Sequence, residues 1–444
     1  MTSALSKRVL EEYAAIRESL PSGVVSAARR QEAVQALAAQ GLPVTREENW
    51  RYANLRPLER ARFVPVAAAD PAPMQVLPAG SELPARLHGF ARYVFVDGVF
   101  APELSSPLEL AGVAFRTLRP QDHTASIARL PRALPAMASL PEARLALLNE
   151  AFATDTASIH VSSAAGERSG VELAFVAVAG ADAGASYPRV QVALEPSARL
   201  TLLERHLGAG GGASLVNSSI EVELARGAQL THYRLQQAGA RATWLDTLTA
   251  VIAADARYRL LAIHTGALSA RSTSYVQLAG AGAELAFSAA ALGERQQVQD
   301  NFALVEHVAP HARTEQTFRG IASGRARVAF NGKIAVRESA SGTDSRQSLR
   351  GLLAGPEAEI DVRPQLEIYT DEVRCSHGAT AGKLDEGMLF YLLSRGLAPE
   401  VAQRLLKWAF LEDVVSKIEL PELRRQIERD LAGQMADASL KELL

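Results

Sequence analysis

The chain has one cysteine, Cys375, among 444 residues. No disulfide can form within it, so the framework that staples small secreted domains is excluded. Neither sign of charge is in excess, with 47 Lys and Arg against 49 Asp and Glu. Phosphate binding needs a clustered basic excess, so no nucleic-acid partner is expected. Long hydrophobic runs are missing too. The longest stretch free of Asp, Glu, Lys and Arg runs from His206 to Ile220 and is rich in Gly and Ser. It is too short and too polar to cross a bilayer. The opening MTSALSKRVLEEYAAIRESL carries Lys7, Arg8, Glu11 and Glu12 where a signal peptide needs an apolar core. A soluble, cytoplasmic protein with no membrane contact is the expectation.

Catalytic motifs are equally scarce. There is no G-x-x-x-x-G-K-[ST] phosphate loop, no H-E-x-x-H and no C-x-x-C. The glycine-rich GAGGG at 208–212 lacks the strand-turn-helix setting of a dinucleotide fingerprint and reads as a surface loop. His307 and His311 are four apart, but Pro310 between them argues against a helix that would join them as ligands. They read as loop or turn histidines. A non-enzymatic role follows as the expectation.

What the chain does have is repetition. Hydrophobic residues are 48% and charged residues 22%, enough for a large core. At about 100–200 residues per domain, the length fits several domains or one long array. Leu10, Tyr13 and Leu20, then Val34 and Leu37 before Gly41, predict helices in the first forty residues. Trp50 and Tyr52 would share a face if their segment is extended, and Pro65, Pro71, Pro73, Pro78 and Pro84 predict an irregular stretch. YVFVDGVF predicts a hairpin about Asp97-Gly98, and a helix is expected over Ala143 to Phe152. From about 155 to 381, short β-rich runs are punctuated by Ala followed by a polar and usually an apolar residue. The tags start at Ala198, Ala228, Ala256, Ala283, Ala312, Ala326 and Ala358, at steps of 30, 28, 27, 29, 14 and 32 residues. A near-constant step with one half-step suggests stacked β coils, with a large β-sandwich as the plainer alternative. Such a stack leaves open ends, which gives flanking helices a capping role.

After Ala381 the pattern turns helical. LDEGMLFYLLSRG puts Met388, Leu389, Leu392 and Leu393 on one face and closes at Gly396. A second helix starts near Pro399, carries Leu405, Trp408, Leu411 and Val415, and stops before Pro421, where a polar third begins. The division is therefore 1–154 helical and mixed, 155–381 the β core, and 382–444 helical. Just before the helices, EVRCSHGATAG places Cys375 and His377 two apart, on one face of an extended segment. Both are zinc or iron ligands, but two ligands do not make a site. The pair is either half of a site completed by another subunit or a local turn without metal.

At these residues the sequence resembles the SufD family of the Suf iron–sulfur cluster assembly machinery. The likeness is carried by F-x-G-K-I-x-V at Phe330 to Val336, R-P-x-L-E-I at Arg363 to Ile368, C-S-H-G-A-T at Cys375 to Thr380 and L-F-Y-L-x-S-R-G at Leu389 to Gly396. Upstream, E-x-W-R-Y at Glu48 to Tyr52 and F-V-D-G-x-F at Phe95 to Phe100 also fit. The resemblance implies a mainly β fold, a right-handed parallel β-helix between helical terminal regions. It implies a scaffold subunit that pairs with its paralogue SufB and docks the ATPase SufC on the helices from about Asp385 to Ile418, whose apolar candidates are Leu389, Phe390, Leu393, Leu405, Trp408 and Phe410. His377, and less strongly Cys375, would then be ligands of a nascent iron–sulfur cluster shared with SufB. No cofactor is expected to stay on the isolated chain, which could pair with itself. SufB, the paralogue that reads H-E-A-T-T-S-K-I where this chain has HGATAGKL, is the nearest alternative. A cytoplasmic β-helix enzyme acting on carbohydrate is the alternative from another class.

Overall fold

The computed structural model describes residues 4–66, 77–78, 81–117, 141–166, 169–178 and 184–435. Pro71 and Pro73 of the proline-rich stretch lie outside them. The seven Ala tags fall into two series. Ala198, Ala228, Ala256, Ala283 and Ala312 each precede a strand of one sheet, whereas Ala326 and Ala358 precede strands of a second. The half-step from Ala312 to Ala326 is therefore a crossing from one sheet to the other within a single coil. In the first series, the residue before each Ala (Ser197, Gly227, Asp255, Gly282, His311) is left-handed, with φ between 58° and 69°. A left-handed residue turns the chain sharply, and the following Ala is small enough to point into the corner.

Each coil gives one strand to each sheet, and about seven turns stack into a parallel β-solenoid. The first sheet runs from Phe90–Val96 and Gly170–Val178 through Arg199–Ala209, Gln229–Gln237, Arg257–His264, Glu284–Gly293, Arg313–Ala322 and Thr343–Leu353 to Val373–Lys383. The second runs from Val113–Thr117 and Ala157–Val161 through Arg189–Leu194, Ser214–Leu224, Thr243–Ile252, Ser269–Leu278, Val298–His307 and Arg327–Val336 to Glu359–Ile368. Register is continuous, so like side chains stack. Val192, Val222, Ala250, Val276, Val305, Ile334 and Leu366 form one inward row of the apolar core. The solenoid takes its first strands from within 1–154, where Asp97 and Gly98, both at positive φ, turn the expected hairpin.

Both outer faces are covered over part of their length. Helices Ala4–Ile16 and Ala27–Gln40, the latter capped by the Ser26 hydroxyl and ended by Gly41 at φ 74°, build a cluster with helix Arg144–Phe152 against the second sheet. The Asn149 amide pins that helix by donating to the carbonyls of Pro188 and Asn217, at 2.9 and 2.7 Å. Glu48–Trp50 is a short 3-10 turn rather than an extended segment, so Trp50 and Tyr52 do not share a strand face. Trp50 is buried under the Arg271 guanidinium, 4.2 Å above its ring. On the first sheet, helices Pro399–Val415 and Pro421–Gln434 lay Trp408, Leu411, Val414, Leu423 and Ile427 against Leu203, Tyr233, Leu261, Ile321 and Leu352. His307 departs from the loop expectation: it ends the strand Val298–His307, buried, with Nε2 2.9 Å from Thr314 Oγ1. His311 does sit in a turn.

Candidate functional site

The two ends of the solenoid differ. At its start the sheets are closed by antiparallel pairings, Phe90–Val96 with Val99–Phe100 and Val113–Thr117 with Ala157–Val161. At its finish, Glu359–Ile368 and Val373–Lys383 are edge strands, and neither has a fully buried residue. Unpaired backbone N–H and C=O groups on such an edge offer a template for another chain. Ile368 and Tyr369 stand exposed on the rim.

Cys375 and His377 lie on the inward face of Val373–Lys383, because alternation along a strand is strict. They do not share an environment. Cys375 sits beside Ser345 and packs against the edge of the apolar core. Burial pushes its thiol up, Asp344 adds to the rise, and a backbone hydrogen bond at Ser345 opposes it. The thiolate needed for metal ligation is therefore disfavoured in the isolated chain. His377 is exposed, beside Gln347 in the preceding coil. It lies in a lumen whose next coil is missing.

The first C-terminal helix, Glu386–Ser394, begins at Asp385, whose carboxylate accepts from Met388 N at 2.7 Å. It has no buried residue; Met388 is 60% and Phe390 72% exposed, and Tyr391 and Leu393 are exposed beside them. A large exposed apolar patch marks an interaction surface. Of the docking candidates, Leu389 and Leu405 are half-buried, and Phe390 and Leu393 project into solvent. Trp408 is buried and Phe410 partly so, both packed with the chain's own first sheet. Helical spacing alone could not separate these two groups.

One polar cluster was not legible in the sequence. Glu204, His206 and Asp246 lie buried inside the solenoid, with ligand atoms within 4.8 Å of one another. Arg234 already bridges the two carboxylates, donating to Glu204 at 2.7 and 3.1 Å and to Asp246 at 2.8 Å twice. Arg234, together with His206 and His232, holds the Glu204 carboxyl well below the usual range against the opposing effect of burial. The cluster is an internal ion pair that ties neighbouring coils together. Its parts are 30 and 12 residues apart, so the repeat step gives the first spacing and nothing in the sequence gives the second.

Fold and site define a class: a parallel β-solenoid, closed at one end and open at the other, with a thiol–imidazole strand on the open rim and an apolar helix beside it. The SufBD core domain of the SUF system for FeS cluster assembly matches residues 175–410, and the chain belongs to that family. It is 28% identical, over 95% of its length, to the iron–sulfur cluster assembly protein SufD of Escherichia coli, covering 96% of that protein. A SufBD family protein of Synechocystis is also 28% identical over 95% of this chain, with 93% of that protein covered. A SufBD family protein of Mycobacterium tuberculosis is 28% identical over 58% of this chain, covering 66% of that protein. Among the described residues no helix is long and apolar enough to cross a membrane.

Proposed function

We propose that this chain is a non-enzymatic scaffold subunit that pairs with a SufB-type paralogue and docks a SufC-type ATPase, so that a nascent iron–sulfur cluster is built at the paired face. The observation that carries the reading is the open end: two edge strands without a fully buried residue, one bearing the exposed His377, next to an unburied apolar helix. His377 supplies an imidazole ligand to the cluster cargo, and the partner supplies the thiolates that a chain with one cysteine lacks. The shortage of cysteines also separates this reading from that of a SufB-like primary scaffold. Met388, Phe390 and Leu393 face the ATPase-type partner. Nucleotide-driven motion of that partner biases the helices and, through Trp408 and Leu411, the sheet on which they lie.

The test is co-purification of the full chain with SufB- and SufC-type partners, followed by iron and acid-labile sulfide determination. Wild type should yield a complex with bound iron and sulfide, and His377→Ala should leave the complex intact while lowering both. An intact complex with unchanged iron and sulfide would reduce the chain to a structural partner. Removing 385–444 is a poor test, because it also uncovers the apolar face of the first sheet.

A further inference from the structure

The inward row that ends at His377 is polar and lies next to an apolar one. Gln316, Gln347 and His377 stand side by side on three successive strands, at steps of 31 and 30 residues that match the repeat. Thr314, Ser345 and Cys375 form the row on one side, and Phe318, Leu349 and Ala379 the row on the other. Gln316 and Gln347 are both buried. Gln347 Nε2 donates to Gln316 Oε1 at 2.7 Å and to the Gly332 carbonyl at 3.1 Å. The two amides are the start of a ladder along the solenoid axis, with the Gln316 carbonyl accepting from the coil that follows.

Gly332, on the facing sheet, makes this arrangement fit. A Cβ there would lie 2.6 Å from Gln316 Oε1 and 3.0 Å from Gln347 Nε2. The Gly332 carbonyl also fixes which way the Gln347 amide points, since two carbonyl oxygens at that separation would repel. With its NH2 held by Gln316 and Gly332, Gln347 has its Oε1 left over as an acceptor. That oxygen is buried and has no hydrogen-bond partner among the described residues. A buried acceptor without a donor is costly, and the next group along the row is the His377 imidazole.

We propose that Gln347 is the positioning residue of His377: its side-chain carbonyl accepts the imidazole N–H and leaves the other ring nitrogen bare at the open end. A hydrogen bond to one ring nitrogen selects the tautomer and orients the lone pair of the other, as outer partners of ligating histidines do. The inference deepens the reading of His377 as a cluster ligand and rests on it for its purpose. The hydrogen bond itself can be examined without any cluster.

The experiment is 15N NMR of the histidine rings in the full chain at about pH 8.5, well above the ordinary imidazole pKa, with the His377 signals assigned by their loss in His377→Ala. Wild type should show one dominant His377 tautomer. Gln347→Leu should shift the tautomer ratio about fivefold, the worth of one hydrogen bond. The unconstrained mixture of a free imidazole in wild type, or an unchanged ratio in Gln347→Leu, would overturn the proposal. The wild-type spectrum decides even if Gln347→Leu does not fold. Iron and sulfide yield in the reconstituted complex separates the two readings. A shifted tautomer with unchanged yield supports the positioning role and refutes the ligand role of His377. A lowered yield with an unchanged tautomer refutes the positioning role.

Discussion

Replacing Arg234 by Met tests whether the internal ion pair holds the coils together. Arg234 makes four hydrogen bonds to two carboxylates, Glu204 and Asp246, at 2.7–3.1 Å, and both acids are fully buried. Met nearly matches the volume of the stem but removes the cation, leaving two buried carboxylates facing each other. Breaking a buried pair in this way costs about 3–5 kcal/mol, because the remaining charge is uncompensated. The variant should escape part of the cost by protonating one acid. The folded-state pKa of that acid is then raised, so its stabilisation is present at low pH and lost as pH rises through that value. Urea unfolding at pH 7, followed by circular dichroism and by Trp fluorescence, should show the loss, and it should shrink at pH 5. The triple variant Arg234→Met, Glu204→Gln, Asp246→Asn removes all three charges and should recover more than half of it. A loss below about 1 kcal/mol for Arg234→Met, the scale of an exposed pair, would refute the reasoning. So would a triple variant no more stable than the single one.

Burial holds His264 down at about 3 and His307 at about 4, whereas both titrate near 6.5 when unfolded. Between those values the unfolded chain binds more protons, so stability is full above about pH 7 and falls on acidification, by about 1.4 kcal/mol per pH unit for each group. Urea midpoints at pH 7 and 5 check this, and His307→Gln should remove about half of the drop; a flat profile would contradict it. Phe390→Asp changes an exposed side chain that packs against no buried core, so unfolding should move by no more than about 0.5 kcal/mol. The same variant should lose most of its binding to the SufC-type ATPase in a pull-down, and retained binding would displace the docking surface from this helix.

The solenoid was legible because its coils repeat the same local requirements: alternating apolar residues, and a small residue at a recurring corner. The helix stops at Gly41 and Gly396 were legible for a similar reason, since a left-handed C-terminal residue is a local need. The half-step at Ala326 was visible, but not its meaning, because sheet membership is a long-range property. Whether Trp50 and Tyr52 share a face depends on whether their segment is extended, and spacing cannot distinguish that from the 3-10 turn that packs Trp50 under Arg271. His307 reads as a loop or turn residue because Pro310 suggests a break, yet the strand Val298–His307 ends only just before that proline. At the site, the Cys-x-His pair could be seen as sharing a face. That the thiol would be half-buried and its pKa raised while the imidazole stayed exposed depends on where the stack ends. Likewise, Trp408 and Phe390 look alike on a helical wheel, and only the sheet beneath decides which is covered.

The central claim is that the open end is completed by a second protein. Hydrogen–deuterium exchange on the full chain, alone and with a SufB-type partner, tests it most directly. The account predicts that amides in Glu359–Ile368 and Val373–Lys383 become protected on binding, while the closed end about Phe90–Val96 is unchanged. Binding without protection of these two strands would contradict it.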